Sequence, residues 1–109
     1  SMGSMRNLIA YIDALIGENS MYRKIVRRYP RIVHHFVEEY SNSICPVCHK
    51  KFLTKSALKR HLFYSRKCLR KLIPLIDKMK NNVPEEKILS DIQFRDIFHI
   101  NTIVTVPKR

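Results

Sequence analysis

Residues 44–68 read ICPVCHKKFLTKSALKRHLFYSRKC. Cys45 and Cys48 are two residues apart, His61 comes after twelve more, and Cys68 after a further six; the three cysteines are all that the chain contains. A Cys-x-x-Cys pair followed about a dozen residues later by histidine has the spacing of a zinc site, in which a tight turn faces a helix. Three thiolates and an imidazole complete a zinc tetrahedron and leave no position for water, so the site implied is structural. The last ligand sets a geometric condition. Seven residues of unbroken α-helix rise about 10.5 Å, too far for two donors that each lie about 2.0–2.3 Å from one ion. The spacing therefore predicts a break between Phe63 and Lys67, near Ser65. Other imidazoles compete: His34 or His35 could replace Cys68 if the chain folds back, while His49 is read as decorating the turn and His99 as a surface residue.

The apolar positions fit the same picture. Phe52 falls four residues after Cys48, Leu58 six after Phe52, and His61 three after Leu58. Leu58 and His61 then share a helix face, and Phe52 with Leu58 makes a small core against the metal. Between Ile44 and His61 the chain resembles the two-Cys-two-His zinc finger family, which implies a ββα unit. It departs from that family in two places. Ser43, beside Ile44, stands where an aromatic residue is usual, and the final ligand is a cysteine after six residues where three to five are usual. The long gap is similar to that of matrin-type fingers, which are associated with RNA as well as DNA. The resemblance implies base-facing positions at Thr54, Ala57 and Arg60, with Ser56 auxiliary. Of these, Arg60 suits a guanine edge, whereas Thr54 and Ala57 offer at most one bond or a methyl contact.

Charge points to the same segment. The 109 residues carry a net +12, and residues 45–80 hold eleven Lys/Arg against one Asp/Glu. So local an excess favours a polyanion, most often nucleic acid, over mere solubility. Lys50, Lys51, Lys55, Lys59, Arg66, Lys67, Arg70 and Lys71 are suited to phosphates, which give affinity without sequence choice.

Around the motif the pattern is helical. Ser1–Ser4 are read as a vector remnant, and residues 5–43 as a helical region. Leu8, Ile9, Ile12, Leu15 and Ile16 define a first helix; a basic one runs from Met21 to about Arg28. Pro30 opens a third, with Ile32, Val33, Phe36, Val37 and Tyr40 on one face. Residues 44–70 form the finger, and residues 71–109 an extension. After Cys68, Leu69, Leu72, Ile73, Ile76 and Met79 continue a helix that Pro74 should kink. Pro84 opens another helix, running into the nineties through Ile88, Leu89, Ile92 and Ile97, whose positive end Glu85 and Glu86 face. The β-branched run over residues 100–106 predicts a strand. The fold class expected is mainly α with a small ββα zinc finger (α+β), with helical extensions on both sides.

The function implied is nucleic-acid binding around one structural Zn2+, with DNA preferred to RNA, as in an intracellular transcriptional regulator. The rival is a protein-interaction module, with the finger a staple and the helices or C-terminal strand docking a partner or a second copy. Catalysis is not expected: there is no Ser/His/Asp pattern and no glycine-rich phosphate loop. A membrane role is not expected, because no apolar run reaches the roughly 18 residues a span needs.

Overall fold

The computed structural model describes the backbone of residues 20–98; the first expected helix and the C-terminal strand lie outside them, as does His99. Pro30 is the residue that sets the amino-terminal half. α1 (Ser20–Arg28) ends at Tyr29, and α2 (Pro30–Ser41) begins with the proline in its first turn, where no amide hydrogen is needed. Tyr29 is 2% exposed. Its hydroxyl donates to the Val83 and Met79 carbonyl oxygens, 2.9 and 3.2 Å away, so the α1–α2 corner is tied to the far end of the chain. The face read for α2 is the one that packs: Ile32, Val33, Phe36 and Tyr40 are buried, with Val37 partly so.

α2 ends in a Schellman turn. The Ser43 and Ile44 amides donate to the Tyr40 and Glu39 carbonyls, at 3.0 and 2.9 Å. Ser43 takes the left-handed conformation, φ 59°, that glycine usually supplies. The same device closes the later helix Arg66–Lys80: the Asn82 (φ 58°) and Val83 amides donate to the Met79 and Lys78 carbonyls. The chain has glycine only at positions 3 and 17, so serine and asparagine take that conformation here, at some steric cost that asparagine bears more readily.

The expected pair of finger strands reduces to one antiparallel bridge, Ile44 with Lys51, and no strand forms among the described residues. The bridge keeps two backbone bonds, from the Cys45 amide to the Lys50 carbonyl at 2.9 Å and from the Phe52 amide to the Ser43 carbonyl at 2.8 Å. It goes no further because α2 runs up to it: the Ile44 amide donates back to the Glu39 carbonyl, and on the other side Thr54 already caps the next helix. In the turn between, the Val47 and Cys48 amides point at the Cys45 sulfur, 3.4 Å away, and His49 is left-handed at φ 67°.

α3 (Lys55–Tyr64) follows, and α4 (Arg66–Lys80) begins two residues after it ends. α4 continues through Pro74. The proline withholds the amide that would bond the Arg70 carbonyl, yet buried Leu72, Leu75, Ile76 and Met79 keep the helix in place.

The helix expected to run into the nineties stops early. α5 (Glu85–Ser90) is short. Asp91 then starts a 3-10 turn (Ile92–Phe94) by accepting from the Gln93 amide at 2.9 Å, and α6 (Arg95–Phe98) completes the described chain. Ile92 is consequently 78% exposed and Phe94 is buried in its place, while Ile97 is buried as its place in the pattern implied. Glu85 also has a different task from the one expected. Its carboxylate accepts from the Arg31 and Ile32 amides at 2.8 and 2.9 Å, capping α2, which has no side-chain cap of its own.

The protein is mainly α-helical. One cluster of buried side chains runs from Ile25 and Tyr29 through Cys45, Leu58, Leu62 and Cys68 to Leu72, Ile88 and Ile97. Among the described residues, no helix is long and apolar enough to cross a membrane.

Candidate metal centre

Three pieces of local structure bring four donors together. The turn after α2 supplies Cys45 and Cys48, the last turn of α3 supplies His61, and the first turn of α4 supplies Cys68. The junction between the two helices is decisive. Ser65 closes α3 by donating its amide to the His61 carbonyl at 2.8 Å, and opens α4 by accepting from the Cys68 amide on its hydroxyl at 3.3 Å. Its extended backbone, φ −72° and ψ 111°, is the break that the six-residue gap demanded. Without it, His61 and Cys68 would be separated by about two helical turns.

The four donor atoms lie within 4.8 Å of one another. Cys45 and Cys68 sulfurs are 3.7 Å apart, and His61 Nε2 is 3.4 Å from the Cys48 sulfur and 3.2 Å from that of Cys68. Bonds of about 2.3 Å to sulfur and 2.0 Å to nitrogen give tetrahedral edges of about 3.8 Å between sulfurs and about 3.5 Å between sulfur and nitrogen. The donors thus stand close to the corners of one ion's tetrahedron. The set can hold a single metal ion.

The two buried cysteines differ: their mutual hydrogen bond and burial push the Cys45 thiol up, while the same bond, helped by Ser65, His61 and Cys48, pulls Cys68 down to about 5. Cys68 is therefore the readier thiolate, and Cys45 must release its proton to a metal. A thiolate is the form that binds metal. Phe52 covers the ligand ring, with centroids 4.8 Å apart, and Leu58 is fully buried, as the spacing implied. No protein-family model, curated protein or solved structure matches the chain. The argument for this site is therefore its own geometry.

The competing histidines among the described residues have other partners. His34 pairs with Glu38 at 3.9 Å on the exposed side of α2. His35 Nε2 lies 2.8 Å from the Pro46 carbonyl oxygen, to which it donates, and its ring packs edge-on against Phe98 and His49. His49 Nε2 in turn reaches the Asp96 carbonyl oxygen at 3.2 Å. His35 and His49 thus brace the cysteine turn against α2 and α6. Sequence spacing gave no sign of this bracing.

The residues read as nucleic-acid contacts divide. Lys50, Lys51, Lys55, Ser56, Lys59, Arg60, Arg66, Lys67 and Arg70 are exposed, and Ala57 is half-buried. Thr54 is exposed, but its hydroxyl caps α3 by accepting from the Ala57 amide at 3.1 Å. Lys71 is half-buried, its ammonium 3.8 Å from the Asp96 carboxylate, so it contributes less free charge than its neighbours. Lys50 lies over the Phe52 ring at 5.5 Å, and Lys51 donates to the Asn42 carbonyl at 3.4 Å.

Proposed function

We propose that this chain is a zinc-finger-like protein that binds nucleic acid, DNA ahead of RNA, and serves in transcription regulation. Zinc is the ion of choice because three thiolates and an imidazole in a small tetrahedron suit it, whereas calcium and magnesium require oxygen donors. Its role is to fix the turn, α3 and the start of α4 in one orientation. All four positions are taken by protein, so we assign it no catalytic part.

The observation that carries the reading is the absence of any Asp or Glu from Tyr40 to Ile76, over the stretch that contains all four ligands. Eight exposed cations stand on this metal-organised segment: Lys50, Lys51, Lys55, Lys59, Arg60, Arg66, Lys67 and Arg70. A phosphate backbone meets no carboxylate from the segment itself, Asp96 beside Lys71 being an acid brought against it from outside, and each neutralised phosphate releases counterions. The experiment is a salt-titrated binding assay with generic DNA and RNA. Affinity should fall steeply with salt, and joint replacement of Lys59, Arg60, Lys67 and Arg70 by alanine should flatten that slope by about three to four. If the quadruple variant binds unchanged, the cations are only a solvated surface. The protein-docking reading, to which fully exposed Leu53 lends support, would then replace this one.

A further inference from the structure

A groove of about 730 Å³ runs along the outer face of α3, bordered by Phe52, Ser56, Ala57, Arg60, Tyr64 and Ser65. Its chemistry does not suit the reading of base-pair edges. Ala57 has no side-chain donor or acceptor, and the Thr54 hydroxyl oxygen beside it is engaged as the helix cap. Arg60 is the one long polar reader on this face. What the groove does offer is flat ring surface: Phe52, tilted against the His61 ring that also lines the groove, and Tyr64. Tyr64 is 70% exposed, with its ring centroid 5.2 Å from that of Phe63. An aromatic ring so exposed between cations has no role in the core cluster.

We infer that this groove receives an unpaired nucleobase, stacked on Tyr64 with Arg60 beside it, so that single-stranded nucleic acid is the preferred ligand. The inference rests on the nucleic-acid reading above and narrows it. Charge complementarity commits the groove to this occupant. Exposed Lys55, Lys59 and Arg66 lie next to its lining in sequence, where a sugar–phosphate chain would leave on either side of a stacked base. Stacking on an aromatic platform tolerates any base and is strong enough to set a preference. A paired base cannot present its face, so a duplex gains only the phosphate contacts.

The test compares fluorescein-labelled single-stranded DNA, single-stranded RNA and duplex DNA of one length, by anisotropy at fixed salt, on metal-loaded protein. The wild type should bind the single strands more tightly than the duplex. Tyr64→Ala should weaken single-strand binding about 5- to 100-fold and leave duplex binding unchanged; Tyr64→Phe should bind as the wild type does. Unchanged circular dichroism of each variant confirms that the fold is intact. Equal loss on single strand and duplex, or no loss on either, overturns the stacking inference. Neither result touches the broader reading, which fails only if the lysine and arginine replacements leave binding intact.

Discussion

Ser65 is a single side chain on which both the helix break and the fourth metal ligand depend. Replacing it with alanine removes the hydroxyl that accepts from the Cys68 amide at 3.3 Å. Loss of such a cap costs about 1 kcal/mol. Alanine is also a better residue than serine for helix interiors, by about 0.5 kcal/mol. That preference favours one continuous helix from Lys55 to Lys80, the state that carries Cys68 away from His61. Both effects act in the same direction, so Ser65→Ala should weaken metal affinity by about 1.5 kcal/mol, close to tenfold. Competition against a chromophoric chelator measures this directly, and the spectrum of the cobalt-substituted protein reports whether the tetrahedron survives. Ser65→Asn, which keeps capping ability, should stay within about threefold of the wild type. Ser65→Gly, a tolerable cap and a poor helix former, should fall between the two. If Ser65→Ala binds metal as tightly as the wild type, or Ser65→Asn binds no better than Ser65→Ala, the hinge does not position the ligand and the reasoning fails.

Two further outcomes follow from the packing. Glu85→Gln retains the shape of the α2 cap but loses its charge, which roughly halves two charge-assisted hydrogen bonds; it should destabilise the metal-loaded protein by about 1–2 kcal/mol, lowering Tm by about 5–10 °C. The exposed neighbour change Glu86→Gln should cost less than about 0.5 kcal/mol, so equal melts for the two variants would refute the capping role. Removing the metal with a chelator should abolish most of the helical circular dichroism in one transition: structural zinc contributes about 10–16 kcal/mol to folding, against a total stability of about 5–15 kcal/mol for a domain. Full helicity after chelation would show that the core stands without the ion.

Much of the site was legible because its signals are local. The Cys45–Cys48 turn, the Phe52 and Leu58 positions, Pro30 at a helix start and the break at Ser65 all follow from spacings within about one or two helical turns. What escaped is held by contacts between distant residues. Glu85 caps a helix through the Arg31 amide 54 positions earlier, the Tyr29 hydroxyl reaches Met79 and Val83, and His35 and His49 brace the cysteine turn. No periodicity encodes such pairs. The misplaced helix end is a different kind of failure. Asp91 caps the 3-10 turn through the Gln93 amide, and an aspartate in an otherwise apolar-periodic stretch is a start signal that Ile88, Leu89 and Ile92 concealed. Strand pairing around the cysteine turn was overestimated because α2 ends directly at Ile44, whose amide donates to Glu39, and Thr54 caps the following helix just after Phe52.

These long-range contacts alter how the metal centre should be understood. In an isolated finger, the ion and a miniature core support only each other. Here Cys45 and Cys68 are buried in the same cluster as Tyr29, Ile32 and Leu72, and the turn between the first two ligands receives a hydrogen bond from α2. The orientation of α3 is therefore fixed twice, by its ligand and by Leu58 and Leu62 in the shared core. A surface fixed in this way loses little further entropy when a ligand settles on it. The support holds the α3 face and the first turn of α4, which carry exposed Lys55, Lys59, Arg60, Arg66 and Lys67, against one buried cluster; under the proposed nucleic-acid reading, that rigidity is what offsets the small contact area of a single finger.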